Sequence, residues 1–293
     1  MKKEPDYFRH EETMCCQQPH QPINSKNGIR FLAFCMAALL TLFANGQAHA
    51  WPLAGSMATA RMDHTATLLP DGRTLIVGGS DGGANLASAE LYNSTTNSWS
   101  AAASMAVGRR LHTATLLPDG RILVTGGSGN FGATASAELY NPATNSWSAA
   151  ASMAAGRVMH TATLLPDGRV LVVGGQSTTG YLASAELYDP ASNDWSSIAS
   201  LTNGRYAHTA TLLPDGWVLI AGGVGAGYLA SVELYNPADN SWYEATGMST
   251  ARGFHRATLL PDGRVLIAGG DSATGYLTSA ELYDPINDSW SDA

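Results

Sequence analysis

The 293-residue chain has only three cysteines and three lysines, and none of the six lies beyond residue 35. Residues 51–293 therefore form no disulfide, and their stability has to come from packing, for which a segment of that length buries enough apolar surface. Without lysine, eleven arginines face twenty carboxylates after Ala50, a net charge of −9. Such a surface repels phosphate backbones and anionic headgroups, which excludes nucleic acid and anionic membrane surfaces as partners. The apolar run 31–43 holds thirteen residues, short of the roughly 20 a spanning helix needs, so no stable membrane insertion is expected. No segment beyond residue 50 shows a 3.6-residue apolar stripe, which excludes a helical architecture.

Lys26 and Arg30 flank the start of that run, and Ala48-His49-Ala50 closes it with the small residues of a cleavage site. This is the pattern of a secretory signal peptide. The reading gives a disordered polar extension over 1–27, a signal peptide over 28–50 cleaved after Ala50, and a mature domain over 51–293, secreted or periplasmic. Export permits disulfides without requiring them.

What the chain has in abundance is itself. His-Thr-Ala-Thr-Leu-Leu-Pro-Asp-Gly begins at His64, recurs every 48 residues at His112, His160 and His208, and returns at His255 with Arg256 in its second position. A Gly-Gly pair (from Gly78, Gly126, Gly174, Gly222 and Gly269), a Glu-Leu-Tyr (from Glu90, Glu138, Glu186, Glu233 and Glu281) and a Trp (Trp99, Trp147, Trp195, Trp242 and Trp290) keep the same spacing. Self-similarity on this scale marks a repeat array or propeller. Within a unit, β-branched and apolar residues run into Pro-Asp-Gly, whose residues suit a hairpin turn, and back out to Gly-Gly. Glu-Leu-Tyr and the Trp segment flank a second turn. Each unit reads as four short antiparallel strands.

Gly-Gly, Glu-Leu-Tyr and Trp in this order and spacing resemble the kelch repeat, and the resemblance covers 51–293. It implies an all-β fold, a kelch-type β-propeller of four-stranded antiparallel blades with the first hairpin strand nearest the axis. Trp51 to Met57 copies Trp99 to Met105, an orphan fourth strand available to complete the last blade. Five blades closed by the N-terminal strand are expected, with a truncated larger ring or assembly through an open edge as alternatives. Near-identical units also exchange register or swap between chains, so oligomers are possible.

One face, here called upper, collects the repeated Arg61, Arg109, Arg157, Arg205 and Arg252 with His64, His112, His160, His208 and His255. Five imidazoles suggest a metal and five guanidiniums an anion, but identical repetition together with the five Glu favours a structural Arg–Glu–His network inside each blade. No metal, cofactor or catalytic residue is assigned. Binding is expected where the repeat breaks, at Asp63, Arg110, Phe131, Tyr181, Tyr206, Tyr228, Phe254 and Tyr276 on upper loops, as a surface for a protein or glycan. Two alternatives remain. One is an exported sugar epimerase or mutarotase using Asp63 beside His64 as general base. The other is a purely structural surface protein. The resemblance extends to galactose oxidase-like copper enzymes, whose thioether-forming Cys has no counterpart after residue 35.

Overall fold

Every Pro-Asp-Gly reverses the chain as its residues demand. In the first unit Asp71 accepts from the Arg73 N–H at 3.0 Å, and Gly72 takes a φ of 83° that any Cβ would strain. Thr65–Leu68 and Arg73–Val77 thus pair antiparallel, Ala89–Asn93 pairs with the second strand, and Ser98–Ala102 with the third. The computed structural model describes residues 54–293, which form one unit. Four further sheets repeat this order with first strands Thr113–Leu116, Thr161–Leu164, Thr209–Leu212 and Arg256–Leu259. Among the described residues there is no helix. The polar extension, the signal peptide and Trp51–Leu53 of the orphan strand lie outside the described residues.

Alternation along these strands sends apolar side chains to both faces of each sheet, so a blade is buried only by its neighbours. Leu69, Leu75, Val77 and Leu91 of the first blade pack against Ile122, Val124 and Tyr140 of the second, and Met105 fills the space between them. The same residue positions build the cores between second and third, third and fourth, and fourth and fifth blades. First strands neighbour one another from blade to blade, which places them innermost.

The paired glycines are where blades converge. A Cβ on Gly126 would stand 2.6 Å from the Arg157 carbonyl oxygen of the next blade, and the φ of 63° there independently favours glycine. The following Gly127 donates its N–H to that same carbonyl at 2.8 Å, and Gly79, Gly175 and Gly223 do likewise with Arg109, Arg205 and Arg252.

Five blades are present, and among the described residues no hydrogen bond joins the fifth to the first. The fourth strand of the last blade comes from Ser289–Asp292 itself, in register with Glu281 to Asp284. The start of the described chain meets the first blade as each linker meets the blade that follows it: the Gly55 carbonyl accepts from the Trp99 indole as Ala103 does from Trp147, and the Ala58 N–H reaches Glu90 at 2.7 Å. A Cβ on Gly269 would meet, among the described residues, only the Leu277 carbonyl of its own blade, at 3.6 Å.

This difference is measurable. Gly269→Ala should cost only the strain of its left-handed backbone, about 1–2 kcal/mol, whereas Gly126→Ala adds a clash with the next blade and should cost at least about twice that. Equal losses in urea unfolding would mean that the fifth blade is packed like the others.

Candidate functional site

Arginine enters each blade just before the innermost strand, and in the second to fifth blades its carbonyl is already spent on the preceding blade. Its side chain turns back into its own blade. Arg109 Nη1 donates to the carbonyls of Gly126 and Ser136 at 2.9 Å, and Nη2 reaches Ser136 Oγ at 3.0 Å and Glu138 at 2.9 Å. Arg109, Arg157, Arg205 and Arg252 have no accessible surface, and the side chain of Arg61 has none either. Burial lowers the pKa of Arg109, Arg157 and Arg205, opposed by the partner carboxylate. The carboxylate in turn holds the linker from the previous blade, as Glu138 accepts from the N–H groups of Ala106 and Val107 at 2.7 and 3.3 Å. Burial would raise Glu281, but the Ser249 N–H and Arg252 outweigh it and its pKa falls.

Histidine does not belong to that network, contrary to the expected Arg–Glu–His arrangement. Its Nε2 reaches across the blade boundary: His112 pairs with Thr65 at 2.9 Å, His160 with Thr113 at 3.0 Å, His208 with Thr161 at 2.9 Å and His255 with Thr209 at 2.9 Å. The reason lies in the register. The Thr after His in the first four blades projects from the innermost strand toward the next blade, a role that its constant neighbourhood hides in sequence. Among the described residues no group of three His, Cys, Asp or Glu is placed to hold a metal.

Above this ring the repeat is broken, and an unanticipated structure builds the upper face. Segments read as loops after Gly-Gly form two-residue hairpins in the second, third and fifth blades, as in Gln176–Ser177 with Gly180–Tyr181, and single bridges in the first and fourth, and the residue after each Arg bridges to them, as Tyr206 does to Val224. The residue before each His adopts φ of 51–56° in all five blades. Its N–H donates to the same position one blade earlier, from Leu111 to Asp63 through Phe254 to Ala207.

This scaffold brings three of the eight predicted binding residues together. Tyr181 and Tyr206 stack at 5.5 Å and 16°, and Phe254 meets Tyr206 edge-on at 6.0 Å. Tyr181 and Phe254 remain about half exposed, at 47% and 48%. Tyr228 donates to Asp271 at 2.6 Å across the fourth and fifth blades, and Asp271 is a member that the sequence reading missed. Asp63 lies 3.9 Å from Arg110, both exposed enough for the pairing to be weak. Phe131 and Tyr276 stand out from their hairpins, 100% and 85% exposed. On the opposite face Asp–Arg pairs fill the turns, such as Asp71–Arg73. In the fourth blade Trp217 replaces that Arg and lies 5.1 Å from Tyr243.

The buried imidazoles dictate an acid response. Burial, reinforced by the neighbouring Arg, pushes His112 and His208 down to about 3 and His255 to about 4, and His160 is also lowered. Below the unfolded value near 6.5, the unfolded chain takes protons that the folded one refuses. The stability present above pH 6.5 is therefore lost as pH falls toward the folded values, at about 1.4 kcal/mol per pH unit for each histidine and at most about 5.6 for four. Urea midpoints should drop steeply between pH 6.5 and 4.5, and His160→Gln should make that slope shallower. A flat profile would contradict buried neutral imidazoles.

Comparison with known proteins agrees with this geometry. The model of the KLHDC2/KLHL20/DRC7 Kelch-repeats domain matches residues 36–202 and again 112–293. Among solved structures, the one titled "Structure of YjhT" aligns with a TM-score of 0.66 over 82% of this chain and 86% of that one, at 18% identity, a level that shows a shared fold alone. No curated protein matches. With five copies of the repeat folded as four-stranded blades and the family model covering most of its length, the chain belongs to the Kelch-repeat family of β-propeller proteins.

Proposed function

We propose that this chain is a non-catalytic extracytoplasmic binding module whose upper face takes a glycan or protein ligand on the ledge formed by Tyr181, Tyr206 and Phe254. The contiguity of these three rings carries the reading. The scaffold beneath demands none of them: the residue after Arg is Met62, Arg110, Val158 or Gly253 in other blades, and the residue before His is Asp63, Leu111, Met159 or Ala207. Aromatic faces on a rigid support offer a large contact area at small entropic cost. The Tyr228–Asp271 pair sets a carboxylate and a phenol on the neighbouring loops, suited to hydroxyl or amide groups of a ligand. The signal-peptide pattern supports an exported location, and the acidic composition argues for partners other than polyanions.

The test is a thermal-unfolding screen of the full chain against sugars, followed by affinity selection with extracellular proteins. A ligand at 100 times its Kd adds about 2.7 kcal/mol to stability. Tyr206→Ala and Phe254→Ala should each weaken binding at least about tenfold, a loss of about 1.4 kcal/mol, while Phe131→Ala, whose fully exposed ring stacks on none of the three, should change it far less. Binding that survives loss of both Tyr206 and Phe254 would place the site elsewhere.

A further inference from the structure

The two ends of the blade series are halves of one interface. The four joints between consecutive blades use the same positions, and the unpaired faces retain them. On the fifth blade Leu260, Leu266, Ala268, Ala280 and Leu282 occupy the places where the first blade has Leu69, Leu75, Val77, Ala89 and Leu91. The latter are all buried, and the former are all partly exposed. On the first blade Leu68 stands where Leu116 packs, and is 65% exposed.

Charge distinguishes this pair of faces from the four internal joints. The Thr that bonds the next blade's His is replaced in the fifth blade alone, by Arg256, which is exposed. The residue before His is acidic in the first blade alone, at Asp63, also exposed. If the fifth and first faces meet as the others do, Arg256 falls opposite His64 and beside Asp63, so each end carries the charge that the other lacks. Among the described residues no hydrogen bond joins the two faces within one chain. No described acceptor reaches the Gly270 N–H, whereas the equivalent Gly79, Gly127, Gly175 and Gly223 are all bonded to the next blade.

We propose that copies of this chain associate head to tail, the fifth blade of one seated on the first blade of another, with Arg256 facing Asp63 and His64 of the neighbour. The contact is heterologous, since different faces meet, so it leaves one free face at each end of a pair and permits longer assemblies.

Sedimentation velocity on the full chain tests this. Wild-type protein should show concentration-dependent dimers and larger species. Leu68→Asp and Leu266→Asp each spoil one face and should both sediment as monomers. Mixed in equal amounts, they retain one good face apiece and should form a one-to-one dimer. Arg256→Asp and Asp63→Arg should each reduce association at least tenfold, and the two changes combined in one chain should restore it. If Leu266→Asp fails to fold, Arg256→Asp replaces it: mixed with Leu68→Asp it should form the one-to-one dimer, well beyond what either variant forms alone, and no such gain on mixing overturns the proposal. Wild-type monomer at every concentration overturns the proposal, as would a ring closing on itself. Association unaffected by these substitutions overturns it too, because it would arise from another surface such as residues 1–50.

Discussion

Five buried guanidiniums hold this molecule together. Each comes from a residue with no accessible side-chain surface, so its charge has to be met inside the protein. One Glu supplies the countercharge, and two carbonyls and a Ser hydroxyl take the remaining donors of the two terminal nitrogens. Because the carboxylate also binds N–H groups of the incoming linker, while in the second to fifth blades the Arg carbonyl accepts from a glycine of the preceding blade, each of those four arginines ties three segments: the linker, its own sheet and the neighbouring sheet. The Gly-Gly pair follows from this, since the carbonyl approaches so closely that no Cβ fits. The Thr–His contacts lie one step further in and depend on the same approach of blades.

That dependence explains why constant and variable residues separate so cleanly. Arg, Glu, Gly-Gly, His and Thr are committed to joints and recur nearly unchanged. Positions between Arg and His, and those after Gly-Gly, supply only backbone to the joint. The left-handed backbone before His is kept by Asp63, Leu111, Met159, Ala207 and Phe254 alike, so the side chain there is open to selection for something else. The aromatic ledge occupies just such positions. Its rings lie on blades three to five, so the upper face is asymmetric although the frame beneath it is repetitive.

Much of the fold was legible in the sequence because period and turn chemistry act locally: Pro-Asp-Gly at each hairpin, Asn or Asp at the second turn, and Trp beside Tyr on outer strands. The Arg–Glu pairing was legible too, since both repeat together in a chain otherwise poor in charge. What escaped was set by relations between blades. Nothing within a unit says that His leaves its own blade for Thr, or that short post-glycine segments pair into hairpins. Closure was least legible. Trp51 to Met57 repeats a fourth strand, and Gly55 and Ala58 meet the first blade as a linker from a preceding blade does, but Ser289–Asp292 already pairs as a fourth strand in the last blade and Trp51–Leu53 lie outside the described residues. Of the predicted site, Tyr181, Tyr206 and Phe254 converge because register sets them on adjacent blades, whereas Phe131 and Tyr276 project from hairpin tips.

A double-mutant cycle on Arg157 and Glu186 tests most directly whether the buried ion pair is the joint on which the rest depends. Their atoms lie 2.5 Å apart with side chains almost fully buried. Arg157→Met and Glu186→Gln should each remove about 3–5 kcal/mol by stranding the other group, and the double variant should lose well under the sum of the two. Single losses below about 1 kcal/mol, or strictly additive ones, would contradict the account and leave the arginines free for a role other than joining blades.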